Sequence, residues 1–253
     1  MAGKRNTVVK RILIALAVIV VMLVAAAVWY VNDYSHADKV ALAAVADEDG
    51  AADGVEVRTL PSGDIAFVPD RPTAGLVFYS GGKVQPEAYA PLMEQCAQRG
   101  ILCVLLKPTF NLAIIDMDAA NGATAQFPNV SKWIIAGHSM GGVAAADYAS
   151  RHSDEFDAIA FLAAYPAVDL SDFDGKVLSI VGSNDGVLNR DKYEQAHKLL
   201  PNSARELVIE GGNHAYYGNY GEQANDGQAD ITREDQQAQA PDALVDLAAA
   251  AED

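Results

Sequence analysis

The chain has 253 residues, two cysteines and a formal net charge of −16, with 34 acidic against 18 basic side chains. This length is sufficient for one α/β domain with a sizeable core. The negative charge argues against nucleic acid as a partner, because phosphate backbones are bound by basic surfaces. The sequence contains neither a cysteine–histidine cluster with metal-ligand spacing nor a glycine-rich phosphate loop, so no metal or cofactor is expected.

The N-terminal part predicts one membrane-spanning helix. Residues 12–31 carry no charge and are long enough to cross a bilayer, and four basic residues lie within 1–11. Because positive charge stays in the cytoplasm, we expect the domain that follows to lie outside the cell. A cleaved signal peptide is the alternative, since Ala25-Ala26-Ala27 is suitable for cleavage, and it would secrete the domain. Residues 32–54 are interpreted as a stalk.

Residues 55–253 are predicted to form one α/β domain with a mostly parallel eight-stranded sheet and flanking helices. Apolar runs and alternating segments predict strands at 55–60, 64–68, 75–79, 101–106, 133–137, 158–163, 177–181 and 206–209. Helices are predicted at 86–99, in part of 111–127, at 144–152, at 190–200 and at 232–253, the last interrupted at Pro241. Since 140–184 already hold a helix and two strands, little or no lid is expected.

A nucleophile elbow is predicted at Gly137-His138-Ser139-Met140-Gly141, directly after the strand at 133–137. On a tight turn from strand to helix, the serine adopts a strained backbone conformation and its hydroxyl projects above the sheet. The two glycines leave room for the neighbouring strand and the following helix. The alternative is a glycine-rich turn that happens to contain a serine.

A serine nucleophile needs a general base and an acid that orients it. Of the histidines, His214 is the candidate base. It lies in the loop that follows the apolar run 207–209, and the loop after a strand is where a catalytic histidine is expected. Asp185 is the candidate acid because it follows the strand at 177–181. The order Ser139, Asp185, His214 differs from those of chymotrypsin and subtilisin. The other histidines are interpreted as linker, surface or non-catalytic turn residues: His36, His138, His152 and His197.

An oxyanion hole needs two backbone N–H groups, one from the residue after the nucleophile and one from the loop after the third strand. The first is predicted to be Met140. Gly82 is the choice for the second, because glycines let the backbone approach the substrate. Substrate contacts are predicted, against the alternative of ordinary loop packing, at Lys83, Phe110, Asn111 and Tyr217.

These motifs resemble the α/β-hydrolase superfamily and, within it, a group of membrane-anchored bacterial members. The resemblance covers about residues 54–240 and rests on YSGGKV at 79–84, PTFNLA at 108–113, GHSMGG at 137–142 and GGNHA at 211–215. It implies Ser139 as nucleophile, Asp185 as acid and His214 as base. It implies no particular substrate, because this superfamily hosts many activities.

The sequence therefore predicts a serine hydrolase that acts on a small or lipid-like carboxylic ester. Two alternatives stay open: an acyltransferase to an alcohol of the cell envelope, and a non-catalytic binding protein on a hydrolase fold. The sequence does not reveal the acyl and alcohol groups, the oligomeric state or whether Cys96 and Cys103 form a disulfide.

Overall fold

The structure is a computed structural model that describes residues 2–46 and 54–251, with side chains from residue 9 onward. The chain divides into two compact units, residues 1–34 and residues 35–253. The first unit is a single helix, α1 (Ala2–Asn32). Its segment Val9–Asn32 has a mean hydropathy of 3.1 and is long and apolar enough to cross a membrane, a property that signal sequences share.

The second unit is built on one sheet of eight strands in the order β1-β2-β4-β3-β5-β6-β7-β8. β1 and β2 are antiparallel, β2 is antiparallel to β4, and all other pairs are parallel. This confirms the predicted mostly parallel sheet. The strands are β1 (Val55–Thr59), β2 (Ile65–Pro69), β3 (Ala74–Tyr79), β4 (Ile101–Leu105), β5 (Trp133–His138), β6 (Ala158–Leu162), β7 (Lys176–Gly182) and β8 (Arg205–Ile209).

Helices cover both faces of this sheet, which is why its central strands are buried along their whole length. Alternate side chains of β3 show the two faces: Leu76 and Phe78 belong to one apolar cluster, Val77 and Tyr79 to the other. The helices of the unit are α2 (Lys39–Ala46), α3 (Ala90–Gln98), α4 (Met140–Arg151), α5 (Arg190–Ala196) and α6 (Arg233–Ala250). Residues 163–175, between β6 and β7, form a loop without a lid helix.

Three predicted helices differ from the structure. Residues 86–99 form a 3-10 turn, Pro86–Tyr89, followed by α3, because Pro91 lacks the N–H that would bond back to residue 87 in a continuous α-helix. Between Thr109 and Gln126 the chain makes four 3-10 turns, because residues with non-helical backbone angles separate them: Leu112, Asp116 and Asn121. Phe110 and Asn111, in the first turn, have left-handed φ angles of 57° and 56°.

The predicted interruption at Pro241 is wrong: α6 continues through it. A proline inside a helix costs about 3 kcal/mol. Burial of Ala240, Leu244 and Leu247 against the core offsets this cost.

Part of the predicted stalk is an integral part of the second unit. Ser35 pairs with Val84 in a parallel bridge, and α2 packs on the domain with Ala41 fully buried. The small alanine side chains allow this close packing. The same alanine-rich composition led to the interpretation of the segment as a stalk. The acidic residues 47–49 of the predicted stalk lie outside the described residues.

Candidate active site

Ser139 occupies the sharp turn between β5 and α4. Its backbone angles are φ 53° and ψ −120°, a sparsely populated conformation for a residue with a side chain. The turn is held by its neighbours, because the Ser139 N–H donates to the carbonyl of Leu162 at 2.9 Å and the Gly142 N–H donates to the carbonyl of Ser139 at 3.0 Å. The strained serine turn expected from the motif is present.

The two glycines that flank the motif leave no space for a side chain. A Cβ atom on Gly137 would lie 2.3 Å from the carbonyl carbon and oxygen of Gly141. A Cβ atom on Gly141 would lie 2.4 Å from the carbonyl oxygens of Tyr79 and Ser80. Because these obstacles are backbone atoms, a larger residue at either position has to displace the elbow from the sheet.

His214 and Asp185 form a buried pair. His214 Nδ1 lies 2.8 Å from Asp185 Oδ2, and the two side chains are 2% and 0% exposed. The other carboxylate oxygen, Oδ1, accepts the backbone N–H groups of Val187 at 2.9 Å and Leu188 at 2.8 Å. Burial alone would raise the pKa of Asp185, but the hydrogen bond and charge interaction with His214, followed by these two N–H groups, outweigh burial and lower it.

This pairing leaves the second ring nitrogen of His214 available. An ionised carboxylate accepts the hydrogen of Nδ1, so in the neutral ring Nε2 carries a lone pair. Nε2 is buried and has no hydrogen-bond partner among residues 2–46 and 54–251. Ser139 and His214 line the same cavity. One cavity is therefore lined by a serine hydroxyl and by a histidine whose other ring nitrogen is fixed by a carboxylate, the groups that nucleophilic catalysis by serine requires.

The loop after β3 presents Gly82 next to the elbow. A Cβ atom on Gly82 would lie 2.7 Å from Met140 Sδ and 3.2 Å from Met140 Cβ. The adjacent amides are already used, because the Gly81 N–H donates to Tyr89 Oη at 3.1 Å and the Lys83 N–H donates to the carbonyl of Asn111 at 2.7 Å. Met140 begins α4, where helix N–H groups have no partner inside the helix.

A cavity of about 380 Å³ opens beside Ser139, within the range typical of small-molecule sites. Among the described residues, its lining includes no Asp, Glu, Lys or Arg side chain. A larger cavity of about 450 Å³, lined mainly by polar residues of 222–228, does not include Ser139. The apolar lining of the serine cavity includes Ile114, Met140, Val143, Ala163, Val187 and Leu188.

The four predicted substrate contacts are not in the lining of this cavity. Tyr217 is fully buried, with its ring centroid 5.5 Å from that of His138. Phe110 is 57% exposed, and Asn111 contacts the glycine loop through its carbonyl, which accepts the Lys83 N–H. These four substrate contacts therefore stay predictions, and other residues line the cavity beside Ser139.

Two polar residues for which the sequence predicted no role in the site contact its loops: Asp226 and His138. Asp226 accepts four backbone N–H groups, those of Gly186, His214, Ala215 and Gly227, at 2.8–3.2 Å. His138 is fully buried and hydrogen-bonded to the backbone carbonyl of His214. The turn sequence Asn225-Asp226-Gly227 and the position of His138 beside the serine are the signals that could have indicated them.

The two cysteines are both buried and present as free thiols. Burial, and then the neighbouring Cys96, hold the pKa of Cys103 well above its usual value. Among residues 2–46 and 54–251, three or more His, Cys, Asp or Glu side chains nowhere form a group that could hold a metal ion.

Comparisons with known proteins identify the family and the fold. A model of the alpha/beta hydrolase family matches residues 75–238. No curated protein is significantly similar to the chain. Among solved structures, a dienelactone hydrolase from Anabaena variabilis has a TM-score of 0.58 at 16% identity, with 76% of this chain and 98% of that chain covered.

Two further solved structures share the fold. A predicted CIB-like hydrolase from Thermoplasma acidophilum has a TM-score of 0.55 at 17% identity and covers 76% of this chain and 100% of its own. Est1E from Butyrivibrio proteoclasticus has a TM-score of 0.53 at 14% identity and covers 78% and 99%. At these identities the likeness concerns the fold.

Proposed function

Because the chain belongs to the alpha/beta hydrolase family, whose model matches residues 75–238, we propose that it is a serine hydrolase that cleaves carboxylic esters. The observation that carries the proposal is the buried pair of His214 and Asp185, 2.8 Å apart, on the same cavity as a serine in a strained elbow. The solved dienelactone hydrolase supports it by analogy of fold, since a lactone is a cyclic ester.

In the proposed reaction His214 Nε2 accepts the proton of the Ser139 hydroxyl while Ser139 Oγ bonds to the ester carbonyl carbon. The backbone N–H groups of Met140 and Gly82 stabilise the negative oxygen. The C–O bond to the alcohol then breaks, and the alcohol leaves with the proton from His214. Water attacks the acyl-enzyme by the same route and restores Ser139. Asp185 stays ionised throughout and stabilises the imidazolium.

The cavity favours an ester with an uncharged, apolar acyl group. Its described lining is mostly apolar, with Ser139, Tyr165, Asn189 and His214 as the polar members, and it contains no Asp, Glu, Lys or Arg side chain. A carboxylate on the acyl group would lose its hydration there without gaining a cationic partner. We therefore propose an aliphatic ester, small or lipid-like, as the substrate class.

The proposed location is outside the cytoplasm. Within the helix that is apolar enough to cross a membrane, the uncharged residues 12–31 follow the basic residues Lys4, Arg5, Lys10 and Arg11. This order favours a membrane anchor with the hydrolase unit on the extracellular side. Reporter fusions test it: C-terminal alkaline phosphatase should be active and C-terminal green fluorescent protein dark. A protein in the membrane fraction that still carries its N-terminal peptide identifies an anchor. A protein that has lost this peptide identifies a cleaved signal peptide.

Replacement of the nucleophile tests the activity. The full-length protein should hydrolyse p-nitrophenyl esters and react with a fluorophosphonate probe, and Ser139→Ala should abolish both without unfolding the domain. Ser150→Ala, on the exposed end of α4, is the matched control and should retain both. Unchanged turnover in Ser139→Ala would contradict the assignment. Ester products that appear only with an added alcohol acceptor would instead identify an acyltransferase, and a Ser139 that never reacts would identify a binding protein.

A further inference from the structure

His138 connects two loops that the proposed mechanism uses. It is fully buried at the end of β5, and its Nε2 lies 3.0 Å from the backbone carbonyl oxygen of His214. Its Nδ1 lies 2.8 Å from Tyr89 Oη. A carbonyl oxygen only accepts hydrogen bonds, so Nε2 carries the hydrogen, and in the neutral ring Nδ1 accepts the hydrogen of the Tyr89 hydroxyl.

The same tyrosine hydroxyl reaches the oxyanion loop. Tyr89 Oη accepts the N–H of Gly81, the residue before the proposed oxyanion donor Gly82, at 3.1 Å. One directional chain of hydrogen bonds thus runs from the Gly81 N–H through Tyr89 and His138 to the backbone of His214. Tyr89 Oη accepts one hydrogen and donates its own, and each ring nitrogen of His138 has one partner, so the chain is specific for a single ring tautomer of His138.

Close packing prevents this chain from rearranging. A Cβ atom on Gly81 would lie 2.7 Å from Tyr89 Oη and 2.9 Å from His138 Nδ1. The ring centroids of His138 and His214 are 4.6 Å apart, and Tyr89 and Tyr217 lie beside His138 at 5.6 Å and 5.5 Å.

The surroundings also keep His138 uncharged. Burial, and next the neighbouring His214, lower the pKa of His138 well below its usual value. The other titratable groups that face it are Tyr89 and Tyr217, and burial raises the pKa of both hydroxyls. A neutral His138 adds no repulsion when His214 becomes positive during turnover.

From this geometry we propose that His138 and Tyr89 are positioning residues that hold the oxyanion loop and the catalytic histidine in one fixed arrangement. The proposal rests on the hydrolase function proposed above. Neither residue is expected to touch the substrate. They fix the position of the Gly82 N–H relative to the His214 ring while negative charge develops on the carbonyl oxygen of the substrate.

Tyr89→Phe tests the proposal with the smallest change. It removes the hydroxyl that joins Gly81 to His138 and keeps the ring. Loss of a whole oxyanion donor costs 10²–10³ in kcat, and a displaced donor costs less, so we expect kcat for a p-nitrophenyl ester to fall about tenfold with little change in KM. Tyr148→Phe is the matched control, since this buried tyrosine donates to Asn121 Oδ1 at 3.1 Å, in the other apolar cluster.

A loss of kcat in Tyr89→Phe no larger than that in Tyr148→Phe, or an effect confined to KM, overturns the proposal.

Nitrogen NMR of the full-length chain in detergent, labelled at its five histidines, provides a measurement that needs no substrate. His138 should carry its hydrogen on Nε2 and should not titrate between about pH 5 and pH 8. A hydrogen on Nδ1, or titration near neutral pH, also overturns the proposal, whereas absent ester turnover in the wild type contradicts only the hydrolase function.

Discussion

The Asp226 carboxylate accepts the backbone N–H of His214, with 3.2 Å between Oδ1 and the amide nitrogen. The same carboxylate accepts the N–H of Ala215 at 2.8 Å and that of Gly186, next to Asp185, at 3.1 Å. One side chain therefore joins the loop that carries His214 to the loop that carries Asp185. Neither the Gly137–Gly141 motif nor the order of Ser139, Asp185 and His214 indicates a role for Asp226.

Removal of this carboxylate should impair both stability and turnover. In Asp226→Ala four backbone N–H groups lose their acceptor, which should cost about 2–4 kcal/mol of unfolding free energy at roughly 0.5–1 kcal/mol each. We expect kcat to fall more than KM changes, because the pair of Asp185 and His214 is displaced. Asp230→Ala is the control, since this exposed carboxylate of the same loop accepts from the Asn184 side chain. Equal kcat values in the two variants would contradict the role of Asp226.

Asp185→Asn should lower kcat by about 10⁴ while the domain stays folded, because an amide does not hold the imidazole in the required tautomer. The substitution also removes the charge that stabilises the imidazolium. Asp172→Asn, on an exposed turn before β7, should have the activity of the wild type. Steady-state kinetics with one ester measure both, and a near-normal rate in Asp185→Asn would assign the acid role to another residue.

The apolar lining predicts a dependence on acyl length. Each buried methylene contributes about 0.8 kcal/mol, so kcat/KM should rise about fourfold per added carbon until the cavity is filled. Val143→Phe should shift the preferred acyl group to a shorter one, because Val143 lines the cavity. Val208→Phe, on the exposed surface of β8, is the control and should leave the dependence of kcat/KM on acyl length unchanged. A profile that is flat, or that favours charged acyl groups, would exclude the proposed substrate class.

The pH dependence of stability follows from His138. Its folded pKa lies below the unfolded value, so the unfolded chain binds more protons as pH falls through about 6.5 and the unfolding free energy decreases by up to about 1.4 kcal/mol per pH unit. The lowered pKa of Asp185 adds a second loss that begins only below about pH 4. Thermal denaturation should show the first slope in the wild type and in His152→Gln, and a smaller slope in His138→Gln.

The central parallel strands could be predicted because they are uninterrupted apolar runs, and β1 because its buried and exposed residues alternate. The order of Ser139, Asp185 and His214 could be proposed because each follows the apolar run of a strand. Contacts between distant segments were not accessible in this way. The hydrogen bonds of His138 to Tyr89 and of Asp226 to Gly186 join residues with no shared periodicity. The turns at 109–126 escaped prediction because non-helical backbone angles at Leu112, Asp116 and Asn121 interrupt a segment whose residues have a helical pattern.

The bridge between Ser35 and Val84 has a consequence for how the enzyme can be detached from its N-terminal helix. The Ser35 N–H donates to the carbonyl of Lys83 at 2.8 Å, and the Gln85 N–H donates to the carbonyl of Ser35 at 2.9 Å, so Ser35 braces the loop that holds Gly82. A truncation at residue 55 removes this brace, whereas one that begins at or before Ser35 retains it. Cleavage at Ala25-Ala26-Ala27 falls upstream, and a secreted and a tethered enzyme would therefore share the same catalytic framework.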